Sequence, residues 1–335
     1  MSVSSVGDLA RTFQNIRRNT QLKTEMARLS KELASGQISD LASSTSGDFG
    51  PLVGLERGLR TNAAYHTSNA EAGLFAVAMQ TALETVQETT ADLGVSLLEA
   101  GTLENAAMIE TTTTDARVKF EAVVSSFNTR AADRYAFSGA ATDRRPLADA
   151  NVILAALDAA AAGQTTAAGI EAMVEAWFDD PGGGFETGGY VGSASPMSPF
   201  LLSESDTVEM DITAADQEIR DVLKGIALAA LLGENILPGD ATERSALARA
   251  AGQKMVNSES TLAVLRSKVG SAEARIDGTS AKNIAEKLSL EIAMGALTAI
   301  DPFQVATELE SVNLQLETLY TLTVRMSRLS LTVYL

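Results

Sequence analysis

Few residues in this chain are of a type that could do chemistry. His66, in the polar stretch YHTSNAE, is the only histidine, and there is no cysteine. A lone imidazole cannot build a His-based metal site, and the stretch around it suits a satisfied surface or interface histidine better than a relay to a nucleophile. Without cysteine, disulfides, thiolate ligands and Cys nucleophiles are excluded. Asp179-Asp180 and Glu204-Ser205-Asp206 are acidic turns, too short for the alternating oxygen ligands of a calcium loop. DDPGGG and GFETGGY are glycine-rich, but neither leads into a helix carrying the Lys-Ser/Thr pair of a phosphate loop. Trp177-Phe178 closes a helical run before a turn and is expected to anchor a core. The residue types therefore predict no catalytic residues, no metal and no cofactor.

The elements that would position a site carry more information. The chain has 335 residues, a formal net charge of −17, 45% hydrophobic residues and only 5% aromatic ones. Apolar content supplied by Ala, Leu and Thr favours helices packed closely along their lengths. The negative charge disfavours binding to a nucleic-acid backbone. The first helix is a local exception: it holds Arg11, Arg17, Arg18, Lys23, Arg28 and Lys31 against Asp8, Glu25 and Glu32. It has no aromatic–basic interleaving and is read as a solvated basic face. MSVSSVGDLARTFQNIRRN has no apolar h-region, and no run approaches the ~20 apolar residues of a membrane span. Export by the general secretory route and insertion in a membrane are therefore not expected.

Proline maps the long elements. Four of the seven prolines lie between residues 146 and 199, and the spans 52–145, 239–301 and 303–335 contain none, so long helices are permitted in those spans and in the first 50 residues. In the last span Val305, Leu309, Val312, Leu316, Leu319, Thr323, Met326, Ser330 and Val333 alternate four and three apart, a heptad seam. Leu314, Leu322 and Leu329 lie on a second stripe, so this helix expects neighbours on two sides. Asp301-Pro302 predicts its N-cap and first position. Leu9, Phe13, Ile16, Met26, Leu29 and Leu33 mark a patchier seam, interrupted around Thr20. Phe75, Met79, Ala82, Val86, Leu93 and Leu97 mark a third. Ile109, Thr113, Ala116, Phe120, Val123 and Phe127 mark a fourth. Met255, Leu262, Leu265, Val269, Ala272 and Ile276 mark a fifth; Asp277-Gly278 is a candidate interruption, and Ile284, Leu288 and Ile292 resume the pattern.

The middle is written differently. In RYAFSGAATDRRP, Tyr135 and Phe137 alternate with small residues and Gly139 follows, which suits a hairpin strand where a helical bundle ends; Pro146 closes the stretch. Residues 149–178 read as helical, DDPGGGFETGGYVGSASP as turns, TVEMDI as a strand and ADQEIRDVLKGIALAALL as a helix returning to the bundle. The expected fold is mainly α: long coiled-coil helices from both termini, a helical-bundle middle and a small α+β outer insert. The expected domains are 1–43 with 299–335, 44–145 with 214–298, and 146–213. Both flanks of the insert being helical, residues 149–212 are expected to be dispensable for folding of the rest.

Several stretches resemble the flagellin superfamily. MARLSKELASGQISDLAS at 26–43 is similar to its N-terminal "LS-x-G" segment, and NTRAADRYAFSGAATDRRPL at 128–147 to the "GRYIFSG…T-x-P" stretch of its hook-associated, hook–filament junction branch. LRSKVGSAEARI at 265–276 looks like the start of the family's returning helix, AIDPFQVATEL at 299–309 like its acidic helix opening, and RMSRLSLTVYL at 325–335 like its terminus. These stretches occur at both ends in the family's order. Filament-forming flagellin is the alternative. Its "SGLRINSAKDDAAG" block reads here as ASGQISDLASSTSGD, its terminal arginine is replaced by Val-Tyr-Leu, and YAFSG favours the junction branch.

The resemblance implies a non-enzymatic structural protein of the bacterial flagellum. It would be exported unfolded through the flagellar type III channel without a cleaved signal, and would act outside the cell. It implies a homo-oligomeric ring, an adjacent hook-associated protein and flagellin as neighbours, and a cytoplasmic export chaperone. The assembly seam would comprise Leu9, Phe13, Ile16, Met26, Leu29, Leu33, Val305, Leu309, Val312, Leu316, Leu319, Met326, Leu329 and Val333. Tyr135, Phe137, Gly139 and Pro146 would mark the domain hinge. The terminal helices, with more apolar surface than one copy can cover, are expected to be disordered in the free chain and to order on docking. Two other classes share some of these features: a coiled-coil tail or secretion-needle component, which would lack the YAFSG stretch, and an enzyme domain inserted in a stalk, against which the short, histidine-free insert argues.

Overall fold

A computed structural model describes residues 3–41, 48–234 and 236–332. The fold is mainly α. Its helices are α1 (Val3–Ser35), α2 (Gly50–Thr102), α3 (Ala106–Thr113), α4 (Ala116–Phe127), α5 (Ala150–Ala161), α6 (Ala167–Asp179), α7 (Gln217–Gly233), α8 (Ala241–Thr298) and α9 (Pro302–Thr332). Two antiparallel pairs of very short strands complete it: β1 (Arg130–Ala131) with β2 (Arg134–Tyr135), and β3 (Phe200–Leu201) with β4 (Thr207–Val208). The chain divides into two compact units, Met1–Thr61 with Ala285–Leu335, and Asn62–Ile284. Helices α2 and α8 contribute residues to both.

The unit Asn62–Ile284 is organised around α7. The run VLKGIALAALL within it is buried on every side, as expected of a helix apolar all round, and α3, α4, α5 and α6 pack against it. The third, fourth and fifth seams all face inward: Phe75, Met79, Val86, Leu93, Leu97, Ile109, Phe120, Val123, Phe127, Met255, Leu262 and Leu265 are buried in one cluster. The long helices meet there almost backbone to backbone. A Cβ placed on Gly252 of α8 would lie 2.6 Å from Leu98 N and 2.7 Å from Gly94 O of α2. That approach is open only to glycine.

Four sequence expectations are modified. The fourth seam is carried by two helices, because the β-branched run TTTT and Asp115 interrupt it between α3 and α4. Asp277-Gly278 does not interrupt α8, which runs unbroken to Thr298; packing of Ile276 and Thr279, both buried, holds the turn. TVEMDI contributes only Thr207–Val208 as strand. Residues 149–212 share the core: Ile153, Leu157, Ile170, Val174, Phe178 and Phe185 join the same cluster as the bundle helices. Lys224 of α7, nearly buried, is bound to Asp179 Oδ2 at 2.7 Å and Asp221 Oδ1 at 2.6 Å. This argues against the segment being dispensable, since its removal would strip cover from α7.

The RYAFSGAATDRRP stretch is a packed junction. The hairpin turn places Ala132 and Asp133 at positive φ. The Arg134 guanidinium lies 4.8 Å from the Phe75 ring centre and 5.4 Å from that of Phe200, and bonds Glu71 at 3.3 Å. Tyr135 is half-buried and Phe137 fully buried, edge-on to Phe127 with centroids 5.5 Å apart. Phe137 lies just past the strand, and its carbonyl accepts from Ala214 N at 2.9 Å. Gly139 has φ +61°, and a Cβ there would meet Ser193 O and Ser195 O at 2.5 Å. Pro146 is buried and its carbonyl accepts from Val191 N at 2.8 Å. Of the four expected hinge residues, Gly139 and Pro146 thus meet the later turns of the insert, Phe137 meets Phe127 and Ala214, and Tyr135 N donates to Thr142 O at 2.9 Å.

Candidate assembly surface

In the other unit, α1 and α9 form an antiparallel pair. Gly36, at φ +71°, ends α1, with its N–H donating to Glu32 O at 2.8 Å. The chain then pairs with the α8–α9 junction: Ile38 N donates to Thr298 O at 2.8 Å and Ile300 N to Gly36 O at 3.2 Å. Glu32 is buried and locks this exit, accepting from Arg28 Nη1 at 2.8 Å and from Ser39 N at 2.9 Å. Asp301 caps α9 as expected, its Oδ1 accepting from Phe303 N at 2.9 Å and Gln304 N at 3.3 Å.

Between the helices lies a thin core. Leu29 packs with Val305, Val312 and Leu316, flanked by the partly buried Leu22, Met26, Ile300 and Leu309. Farther along, Tyr320 faces Asn19 and Lys23, whose hydrogen bonds hold its hydroxyl below the usual tyrosine pKa. The expected seam residues therefore separate. Met26, Leu29, Val305, Leu309, Val312 and Leu316 come together, with Leu319 half-buried beyond them. Phe13, Ile16 and Leu33 stay exposed at 64%, 58% and 39%. The side chains of Leu9, Met326 and Leu329, and all of Val333, lie outside the described residues.

Helix geometry explains the separation. At ~100° per residue, Phe13 stands ~180° around α1 from Leu22, and Ile16 ~80° from Met26. The interruption seen in the sequence around Thr20 is a change of phase. On α9, Phe303 and Leu314 stand ~160–180° from Val312 and are 87% and 66% exposed. Phe303 was not distinguished by periodicity; its position two residues before Val305 was the available signal. Leu288 and Ile292, on the part of α8 in this unit, are 57% and 65% exposed.

An open groove beside α4 is lined by Glu121, Asn128, Tyr135, Arg145, Asp149 and Asn151, but Arg145 pairs with Asp149 and Glu121 with Arg117. Among the described residues no three His, Cys, Asp or Glu side chains gather as a metal ion would need, and no helix is long and apolar enough to cross a membrane.

No protein-family model and no curated protein matches the chain. Among solved structures it is similar to one from Vibrio parahaemolyticus, provisionally described as a flagellar hook-associated protein. The two share 15% identity with a TM-score of 0.49, covering 73% of this chain and 95% of that one.

Proposed function

We propose that this chain is a non-enzymatic structural protein of the bacterial flagellum, forming the hook–filament junction by assembly of its terminal helices. The observation that carries the reading is the large apolar surface left on the outward faces of α1 and α9, with Phe13, Ile16, Phe303 and Leu314 all more than half exposed. Surface of this kind marks an interaction site. The flagellin-like stretches at both ends of the sequence supply the context, and YAFSG supports the junction over filament flagellin.

In this reading residues 1–43 and 299–335 are the assembly domain, 44–145 and 214–298 the rod, and 146–213 the outer insert. The chain is exported through the type III channel under cover of a chaperone. It forms a ring outside the cell between an adjacent hook-associated protein and flagellin. The thin core of the α1–α9 pair, centred on four buried side chains, suits helices that order fully only on docking. Cells lacking the protein test the reading by electron microscopy. Hooks without filaments, with flagellin released to the medium, are expected; cells with normal filaments would refute it, and cells that secrete no flagellin-like filament subunit at all would favour the flagellin alternative.

A further inference from the structure

The outward faces of the two terminal helices differ in charge. On α1, the exposed residues ~120–180° from the packed Leu22 line include Phe13, Ile16, Arg17, Thr20, Thr24, Ala27 and Lys31, and the charges on this face are positive only. On α9 between Phe303 and Thr321, the residues ~140–180° from Val312 are Phe303, Thr307, Glu310, Leu314, Glu317 and Thr321; these too are exposed, and their charges are negative only, with the exposed Arg325 following one turn beyond. Arg17, Lys31, Glu310 and Glu317 make no ion pair among the described residues. Helix α1 as a whole holds six basic and three acidic residues in a chain of net charge −17.

We propose that the outward face of α1 in one copy seats on the outward face of α9 in a neighbouring copy. The inference rests on the reading that the terminal helices assemble, and names which face meets which. An α1–α1 contact would bring Arg17 and Lys31 against like charges, and an α9–α9 contact centred on Phe303–Thr321 would do the same to Glu310 and Glu317. Like-charge juxtaposition disfavours both self-pairings, while the cross-pairing buries Phe13, Ile16, Phe303 and Leu314 with opposite charges beside them. The contact is heterologous, since each copy offers one face and receives the other. Such contacts propagate into rings or helical arrays, whereas the two self-pairings would close as dimers.

Charge reversal tests the pairing on the full chain. R17E/K31E and E310K/E317K should each raise the concentration for half-association about tenfold, read by sedimentation velocity. The chain bearing all four changes should recover association, and higher salt should weaken the native contact. Because the native chain has no cysteine, Phe13→Cys and Leu314→Cys chains can be mixed under mild oxidation. In an equal mixture, disulfide-linked pairs of one chain of each kind should exceed each self-linked product by well over the twofold that random collision gives. Association that persists unchanged in both reversed chains, or mixed pairs at or below twice each self-linked product, overturns the pairing while leaving assembly intact. Absence of any association by the native chain overturns both the pairing and the assembly reading. Far-UV circular dichroism checks that each variant keeps its helices.

Discussion

The glycines of α8 offer one substitution with opposite expected signs at two sites. Gly252→Ala and Gly270→Ala both replace the poorest common helix former with the best, worth about 1 kcal/mol in a helix interior. At Gly270 a Cβ meets nothing within 4 Å, so the gain should be retained and the unit Asn62–Ile284 stabilised by about 0.5–1 kcal/mol. At Gly252 the new carbon meets Leu98 N at 2.6 Å, Gly94 O at 2.7 Å and Leu98 Cα at 3.0 Å. All three are backbone atoms of α2 and cannot rotate away. Overpacking costs about 1–3 kcal/mol, and rigid neighbours place this case near the upper end. The net effect should be destabilisation by about 1–2 kcal/mol, leaving the two variants about 1.5–3 kcal/mol apart. Urea unfolding followed by far-UV circular dichroism measures this as midpoint shifts in opposite directions at unchanged m-value. Stabilisation by both substitutions would mean that α2 and α8 do not approach this closely, and the placement of the third and fifth seams would fall with it.

Other expectations follow from single contacts. Asp301→Ala removes the acceptor of Phe303 N and Gln304 N and should cost about 1 kcal/mol, seen as faster amide exchange in the first turn of α9. For Asp179, partial burial acts to raise its pKa, but hydrogen bonds from Lys224 and Gln217 and the charges of Lys224 and Arg220 outweigh it and hold the carboxyl below its usual value. Its contribution to stability is therefore present above the ordinary aspartate range and lost as pH falls through the lowered value; Asp179→Asn should flatten the acid limb of a stability–pH curve, and an unchanged limb would contradict the assignment. Burial pushes the Tyr190 hydroxyl up to about 12. An alkaline absorbance titration should therefore lose a late phase in Tyr190→Phe. Replacing residues 149–212 with a short Gly/Ser turn should abolish cooperative unfolding, because α7 loses the cover of Ile153, Leu157, Ile170 and Phe178.

Periodicity made the long helices legible, since each bundle seam reports one face turned to the core, although Ile284, Leu288 and Ile292, which continue the fifth seam, stay exposed. Asp301-Pro302 marked the start of α9 for a local reason, the cap hydrogen bonds. What periodicity could not convey is which neighbour a stripe meets. The Leu9–Leu33 set reads as one seam, yet a phase change around Thr20 sends Phe13 and Ile16 to the side opposite Leu22. Likewise ALAALL reads as an amphipathic return but is buried all round, because the insert, an expected appendage, packs over it. Lys224 gave no sign of burial, as its partner Asp179 lies 45 residues earlier in sequence. The junction at 134–146 was visible as a change of residue grammar. Its tightness depends on carbonyls of Ser193 and Ser195 that only the fold brings to Gly139.

The central claim is that the outward faces of the terminal helices are covered in the assembled flagellum. Thiol accessibility at a single introduced cysteine tests it directly, since the native chain contributes none. Leu314→Cys, at a position 66% exposed in the single chain, should react with a maleimide at the rate of a free thiol in the purified protein. In flagella sheared from cells carrying the same variant it should be protected. Equal reactivity in both would show that this face remains open to solvent after assembly, and would contradict the account.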